Sequence, residues 1–143
     1  MIHKGNLEIT NSNAKNYKDL VEVTGDLSIY SEAKLEALKS VGGNLCIHSQ
    51  AKLEAPKLES VGGDLYINSE AKLEALKSVG GCLSIYSKAK LEAPKLESVG
   101  DDLSIHSEAK LEAPKLESVG GYLYIHSEAI KNFPNNLIHW KKF

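Results

Sequence analysis

Apolar residues recur along this chain in a fixed order that repeats about every twenty residues. A Leu-x-Ile triplet follows a glycine-containing turn, and its leucine falls at Leu7, Leu27, Leu45, Leu65, Leu83, Leu103 and Leu123. The steps between these leucines are 20, 18, 20, 18, 20 and 20 residues. Internal repeats of this length are typical of solenoids, in which each repeat forms one coil that stacks on its neighbours.

Within each repeat, the spacing of the apolar residues predicts short strands. The segment L-x-I-x-S alternates, which places leucine and isoleucine on one face of a strand. The segment A-K-L-E-A alternates too, with lysine and glutamate outward and these leucines inward: Leu35, Leu53, Leu73, Leu91 and Leu111. A third apolar pair, such as Leu38 with Val41 or Leu58 with Val61, closes each coil.

A helix is the alternative for E-A-K-L-E-A-L-K-S, because this segment is rich in helix-forming residues. Proline stands near the centre of the equivalent segment at Pro56, Pro94 and Pro114, which favours extended structure. The 18-residue coils are interpreted as lacking the Pro-Lys pair of the longer coils. Losing two residues keeps the side chains of a strand on their faces, whereas it would rotate a helix by about 200°.

These patterns predict an all-β protein that forms a single right-handed parallel β-solenoid, with about seven coils of 18–20 residues and terminal caps. Residues 1–143 are one domain, with a degenerate first coil at 1–22, regular repeats at 23–129 and a C-terminal cap at 130–143. The cap is predicted because the end of a stack exposes unpaired backbone, and because this segment contains Phe133, Trp140 and Phe143. A tail that docks a partner or a second copy is the alternative.

The glycine pairs are predicted to form the turns between coils. The second glycine of the pair occurs at Gly5, Gly25, Gly43, Gly63, Gly81 and Gly121. Asp101 takes this place in one coil, and aspartate tolerates the left-handed region better than most residues. We therefore expect the second position to require a positive φ angle, whereas the first position needs only a small or flexible residue.

Composition narrows the classes of function. The formal charge of the 143 residues is −2, and all 17 basic residues are lysines. The absence of arginine disfavours specific nucleic-acid binding, because arginine is the residue best suited to bidentate phosphate and guanine contacts.

No apolar stretch resembles a signal peptide or a membrane span. Cys46 and Cys82 fall two coils apart, too far for a disulfide. Free thiols without an export signal predict a cytoplasmic protein.

The repeat L-x-x-V-G-G-x-L-x-I, followed by a short L-x-A-P-x-L arm, resembles bacterial and bacteriophage leucine-rich solenoids of the receptor-L-domain type. The resemblance covers residues 5–129 and implies protein recognition by a repeated surface, without chemistry. The chain departs from ordinary leucine-rich repeats because it shows no asparagine ladder at the turn that follows the triplet. Serines stand near that turn: Ser31, Ser49, Ser69, Ser87, Ser107 and Ser127. We expect them to hydrogen bond within their own turns.

The outward positions of the strand triplet vary while the frame around them does not, so we interpret them as a binding face. Tyrosine and histidine there offer apolar bulk with a polar tip, a composition favoured at interface hot spots. The predicted partner-binding residues are Tyr30, His48, Tyr66, Tyr86, His106, Tyr124 and His126. The alternative is that β-sheets simply favour tyrosine on an exposed face.

The A-K-L-E-A segment predicts a second, charged face. Its lysines are expected to form one column and its glutamates the neighbouring column: Lys34, Lys52, Lys72, Lys90 and Lys110, beside Glu36, Glu54, Glu74, Glu92 and Glu112. Like charges at strand spacing repel mildly, and the opposite column offsets this repulsion. We expect this face to be solvated, and a charged docking strip is the alternative.

The sequence offers little support for a catalytic site or a metal site. His106 and His126 fall on adjacent coils, but no carboxylate or thiol in their columns completes a metal-ligand set. Serine, histidine and glutamate recur only as ladders, whereas a nucleophile needs a base and an orienting group in one pocket. We therefore predict no enzyme, no catalytic residue, no metal and no cofactor.

The prediction for function is a non-enzymatic module that binds another protein through its Tyr/His strand face. A phage-type inhibitor that occludes a host defence protein, for example a CRISPR-type nuclease, is its concrete form. The alternative is self-assembly into end-to-end or face-to-face oligomers. Neither nucleic acid nor membrane is expected as a partner.

Overall fold

The computed structural model describes residues 1–126, and the predicted cap at 130–143 lies outside the described residues. This part of the chain winds into stacked coils whose strands form three parallel sheets, so the predicted all-β solenoid is confirmed. The one helix in the described range is a single 3-10 turn, Ala14–Tyr17. Residues 1–126 contain no helix that is long and apolar enough to cross a membrane.

Each coil contributes one strand to each of two seven-stranded sheets. Sheet A contains Ile2–His3 (β1), Glu22–Val23 (β3), Ser40–Val41 (β6), Ser60–Val61 (β9), Ser78–Val79 (β12), Ser98–Val99 (β15) and Ser118–Val119 (β18). Sheet B contains Leu7–Ile9 (β2), Leu27–Ile29 (β4), Leu45–Ile47 (β7), Leu65–Ile67 (β10), Leu83–Ile85 (β13), Leu103–Ile105 (β16) and Leu123–Ile125 (β19). Neighbouring strands pair in register, leucine beside leucine and isoleucine beside isoleucine.

Sheet C has five strands, because the first coil places its 3-10 helix where later coils have a strand. The strands are Glu32–Lys34 (β5), Lys52–Glu54 (β8), Glu70–Lys72 (β11), Lys90–Glu92 (β14) and Lys110–Glu112 (β17). The 3-10 helix lies against β5. The first coil therefore differs from the later coils at this place.

The core is the aliphatic interior enclosed by the three sheets. The Leu and Ile of sheet B, the Val of sheet A and the leucines of the A-K-L-E-A segments are all buried. The leucines that precede sheet A, such as Leu38 and Leu58, are fully buried as well. The predicted inward positions are thus confirmed.

The difference between 18- and 20-residue coils lies at a different place from the one predicted. Sheet C pairs Ala33 with Leu53 and Lys34 with Glu54, which is an offset of two residues relative to the repeated A-K-L-E-A motif. The shorter coils lack two residues at the corner between sheets B and C, not a Pro-Lys pair after sheet C. The longer coils turn this corner through a non-glycine residue with positive φ: Gln50 (69°), Lys88 (67°) and Glu108 (63°).

This offset gives the core an alternating pattern of large and small side chains. Along sheet C the buried column reads Ala33, Leu53, Ala71, Leu91 and Leu111. The neighbouring buried positions read Leu35, Ala55, Leu73, Ala93 and Ala113. From Ala33 to Leu91, leucine and alanine therefore alternate from coil to coil, which fills the interior evenly, whereas Leu91 lies beside Leu111.

The predicted like-charge columns on sheet C are wrong for the same reason. One outward column reads Glu32, Lys52, Glu70, Lys90 and Lys110, and the other reads Lys34, Glu54, Lys72, Glu92 and Glu112. Opposite charges thus lie side by side on consecutive coils, except between the last two, where both coils are long. Such cross-strand pairs each contribute about 0.2–1 kcal/mol, whereas like charges would repel.

The glycines serve close approach between coils, so the predicted requirement for positive φ is wrong at all but Gly5 (87°). A Cβ atom on Gly43 would lie 2.9 Å from the carbonyl oxygen of Gly25. A Cβ atom on Gly42 would lie 2.5 Å from the carbonyl oxygen of Thr24. Glycine is needed here because the backbones of successive coils almost touch.

A ladder of Asn and Asp side chains runs along the same corner, although the sequence predicted no such ladder. In five coils, the residue that follows the second position of the glycine pair accepts a hydrogen bond at its Oδ1 from the backbone amide of the equivalent residue one coil later. Four of these bonds measure 2.8 Å and one measures 2.7 Å. The acceptors, which we call the Asx row, are Asn6, Asp26, Asn44, Asp64 and Asp102.

The Asx row explains why Asp101 replaces glycine in one coil. At every other such glycine except Gly5, an added Cβ would fall within 2.1–2.4 Å of the Oδ1 of the preceding Asx residue. In the coil before Asp101, the Asx position is occupied by Cys82, which has no Oδ1. Because Cys82 interrupts the Asx row, position 101 has room for a side chain.

We expect Gly43→Ala to destabilise the protein by about 1–3 kcal/mol, the usual range for overpacking, because its methyl group collides with Asp26 and the backbone of Gly25. Asp101→Ala is the matched control, and its effect is expected to stay within about 0.5 kcal/mol. Urea unfolding followed by circular dichroism measures both. Equal effects would contradict the close-approach explanation.

Cys82→Asn and Asp101→Gly form a double-mutant cycle that tests the link between these two positions. Cys82→Asn alone is expected to give no gain, because its new Oδ1 collides with the Cβ of Asp101. Combined with Asp101→Gly, it is expected to restore the bond to the amide of Asp102. The coupling free energy should favour the double variant by about 1 kcal/mol. Strictly additive effects in the unfolding experiment would show that the two positions are independent.

Candidate functional site

The outer face of sheet B presents two columns of side chains along the stack. The first lies mid-strand and consists of Glu8, Ser28, Cys46, Tyr66, Ser84, Ser104 and Tyr124. The second lies directly after the strands, and we call it the ring column: Thr10, Tyr30, His48, Asn68, Tyr86, His106 and His126. From Tyr30 onward, each ring-column amide donates a hydrogen bond to the last strand carbonyl of the preceding coil. The backbone therefore keeps this column in register.

Within the ring column, the structure brings five of the seven predicted site residues into two stacked groups. Tyr30 and His48 lie nearly parallel, with ring centroids 4.1 Å apart and an interplanar angle of 8°. Tyr86 stacks on His106 at 5.0 Å, and His106 stacks on His126 at 6.0 Å. The stacking follows from the strand spacing of about 4.8 Å, which suits rings on consecutive coils.

Asn68 separates the two stacked groups. It is exposed, whereas His48 and Tyr86 on either side are half-buried. The Nε2 atom of His48 is shielded from solvent and makes no hydrogen bond within the described part of the chain. This imidazole therefore contributes mainly the face of its ring, which packs on Tyr30.

Tyr66 lies in the first column and is held by the Asx row. Its hydroxyl donates a 2.7 Å hydrogen bond to Oδ2 of Asp64, while Oδ1 of the same carboxylate accepts from the amide of Cys82. The hydrogen bond to Asp64, followed by partial burial of the ring, raises the pKa of Tyr66 to about 12. Tyr66 is thus a neutral donor with a fixed orientation, and it links the outer face of sheet B to the Asx row.

Tyr124 is the remaining predicted site residue, and sequence reasoning missed its neighbour Tyr122. Tyr124 is 38% exposed and Tyr122 is 53% exposed, and their ring centroids lie 6.1 Å apart. Tyr122 occupies the position that the Asx row fills in other coils. An aromatic residue at an otherwise small polar position was the signal that could have identified it.

The predicted face also contains an open groove near the end of the described chain. The groove has a volume of about 270 Å³, and it is lined by Ser104, Ile105, His106, Tyr124 and His126. The hydrogen bonds found among residues 1–126 do not link Ser104 to either imidazole. The nucleophile–base contact that acyl transfer needs is therefore not formed between Ser104 and these imidazoles.

Three potential metal ligands do converge, although sequence reasoning considered a different set. Donor atoms of Cys82, Asp101 and Asp102 lie within 4.8 Å of one another, where the Asx row is interrupted. Burial, together with the nearby carboxylates, raises the pKa of the Cys82 thiol. Coordination of a cation here would therefore require loss of the thiol proton, whereas the two carboxylates attract cations. The rings of His106 and His126 stack face to face, an arrangement that does not aim their nitrogens at one point.

Both cysteines are free thiols, as predicted. Cys46 lies in the first column between Ser28 and Tyr66 and is half-buried. Burial, with smaller contributions from the carboxylates of Asp26 and Asp64, raises its pKa. The thiol is therefore protonated at neutral pH and acts as a small apolar side chain.

Comparison with known proteins gives no assignment. No protein-family model matches the chain, and neither the curated proteins nor the solved structures contain a significant match.

We expect Tyr66 to titrate near pH 12, later than an ordinary tyrosine at about pH 10. Asp64→Asn should lower the pKa of Tyr66 towards 10, because it removes the carboxylate while keeping the Oδ1 acceptor. Since the folded pKa is raised, the stabilisation by this bond is complete below pH 10 and is lost as the pH rises from 10 to 12. NMR signals of the Tyr66 ring measure the titration, and a midpoint near 10 in the unsubstituted protein would contradict the role of Asp64.

Proposed function

We propose that this protein is a non-enzymatic binding module that recognises another protein through the ring column together with Tyr66 and Tyr124. The observation that carries the proposal is the pair of stacked Tyr/His groups on one flat, regular face. Such rings supply contact area with few rotatable bonds and have a polar tip, which is why they dominate interface hot spots.

The contrast between frame and face supports this proposal. The buried leucines, isoleucines and valines recur almost unchanged from coil to coil, and so do the serines of sheet A. The ring column instead changes at each of its first five positions, from Thr10 through Tyr30, His48 and Asn68 to Tyr86. A general preference of sheets for tyrosine would not require this variety, whereas recognition of an irregular partner surface would.

The resemblance of the V-G-G-x-L-x-I repeat to bacterial and bacteriophage leucine-rich solenoids of the receptor-L-domain type supports the same class of function. In its concrete form, the protein is a phage-type inhibitor that acts in the cytoplasm and occludes a host defence protein such as a CRISPR-type nuclease. A rigid face about 29 Å long, from six strand spacings of about 4.8 Å, is suited to covering a functional surface of a larger protein.

The combined substitution Tyr30→Asn, Tyr86→Asn and His106→Asn, which we call the ring variant, tests the binding face. Asn68 shows that asparagine fits this column, so the melting temperature should change little. Partner affinity should fall by about a hundredfold or more, because each lost hot spot typically contributes about 2 kcal/mol. Affinity capture from host extract with mass spectrometry identifies the partner, and calorimetry measures the affinities.

A matched control carries Lys34→Gln, Lys72→Gln and Glu112→Gln on sheet C, and it should bind the partner as the unsubstituted protein does. A partner lost by this control but kept by the ring variant would place the interface on sheet C. Unfolding of the ring variant would mean that the rings are structural. Plasmid interference by CRISPR-type nucleases, measured with and without the protein, tests the inhibitor form.

Self-assembly is the second candidate, and the exposed first coil favours it. Strands β1 and β2 each pair on one side only, and Met1 and Ile2 are 56% and 59% exposed. An unpaired parallel edge next to apolar side chains is a template for a second copy.

If the ends associate, the mass measured by light scattering should rise with concentration. Ile2→Lys should then reduce association, because a charge at an edge strand opposes pairing, whereas Ile2→Val should not. Deletion of residues 130–143 is expected to increase association. A monomer mass that is independent of concentration in all these variants would exclude self-assembly.

A further inference from the structure

One side of the solenoid carries carboxylates but almost no lysine. The corner between sheets A and B and the adjoining face of sheet B carry five acidic residues: Glu8, Asp26, Asp64, Asp101 and Asp102. After Lys4 in the first coil, this side contains no lysine within residues 1–126. The net charge of −2 conceals this asymmetry. Within residues 1–126, most of the lysines and most of the remaining glutamates lie on sheet C and its turns.

The Asx row does not need negative charge for its structural role. Asn6 and Asn44 accept the same bond as Asp26 and Asp64, and all four bonds measure 2.8 Å. An asparagine at every position would therefore build the same ladder without repulsion between carboxylates. Aspartate nevertheless occupies every second coil, at positions 26, 64 and 102.

These carboxylates have no cationic partner within the described residues. Only two ion pairs occur there, Lys72–Glu74 at 3.2 Å and Lys90–Glu92 at 2.9 Å, and both lie on the sheet C side. Lys88 stands at the opposite edge of sheet B, in the corner shared with sheet C. The acidic corner therefore presents uncompensated charge at the edge of sheet B that lies opposite the ring column.

We propose that the segment of the partner protein that docks on sheet B is basic and carries arginine or lysine side chains at intervals of about 10 Å. This inference rests on the proposed function and specifies its partner. Arginine meets both features of the face, because its guanidinium stacks on tyrosine rings and pairs with carboxylates. Nucleic acid is repelled by the same charges.

The interval follows from the stack. Asp26, Asp64 and Asp102 lie two coils apart, which at about 4.8 Å per coil is about 10 Å. Every third residue of a polyproline II segment lies on one side, at a spacing of about 9.3 Å. A basic residue at every third position of such a segment would thus meet the three carboxylates in turn. Across the sheet, the rings lie four residues further along each strand, about 13 Å away, where further cations can stack.

The test uses a fluorescent twelve-residue peptide of four Arg-Ala-Pro triplets and a peptide with glutamate in place of arginine. Fluorescence anisotropy measures binding to the full chain at low and moderate salt. The arginine peptide should bind and the glutamate peptide should not. The triple variant Asp26→Asn, Asp64→Asn and Asp102→Asn should bind about tenfold more weakly, because it removes three half-buried carboxylates that would pair with cations at the surface. Its melting temperature should stay close to that of the unsubstituted protein.

A second triple variant, Glu36→Gln, Glu54→Gln and Glu112→Gln, removes three carboxylates from the sheet C side and controls for net charge. It should reduce the affinity less than twofold. Equal losses in the two variants, absence of binding by the arginine peptide, or preferred binding of a single-stranded DNA oligonucleotide would each overturn the proposal.

The two proposals can fail separately. A partner that is lost by the ring variant but bound equally by the aspartate-to-asparagine variant would leave the proposed function standing and overturn the basic segment. If the arginine peptide depends on the three aspartates while the ring variant keeps every captured partner, the basic site stands and the ring column is not the recognition surface.

Discussion

The close approach of successive coils at the glycine corner is the constraint on which the rest of this structure depends. The amide of each second glycine donates to the equivalent carbonyl one coil earlier, from Gly25 to Gly81, at 2.8–3.0 Å. The Asx row adds a side-chain bond beside most of these contacts. Because like positions meet there, sheets A and B keep one register along the stack, and the core residues and the rings form columns. Sheet C is offset by two residues wherever a short coil meets a long one.

The apolar periodicity was enough to predict the coils and the inward residues, because burial follows directly from alternation. It was not enough to locate the two-residue difference between coils. Identical letters, A-K-L-E-A, favoured an alignment that places the gap at Pro56-Lys57, whereas the chain shortens the preceding corner and slides the motif by two residues. That slide places leucine beside alanine and lysine beside glutamate, and neither contact is visible within a single repeat.

The role of the glycines and the environment of Tyr66 were beyond sequence reasoning for a related reason. Both depend on an oxygen atom supplied by an Asx side chain, from the neighbouring coil or from two residues earlier in the chain, and the spacing of one coil does not reveal its position. The substitution of Asp101 for glycine and the presence of cysteine at position 82 looked like unrelated irregularities. Both residues belong to the same contact between two successive coils. The columns that bear rings could be predicted from the sequence, whereas the pairs in which the rings stack are visible only in the three-dimensional structure.

The alternation of coil lengths has a consequence for how such a molecule can grow. A short and a long coil together make a unit of 38 residues, and the same step separates Asp26 from Asp64 and Asp64 from Asp102. Duplicating this pair preserves every leucine–alanine and lysine–glutamate neighbour, whereas duplicating one coil brings like beside like, as at Lys90 and Lys110. The unit that can be duplicated without disturbing the interior is therefore two coils. Each added unit also adds new positions to the outer face.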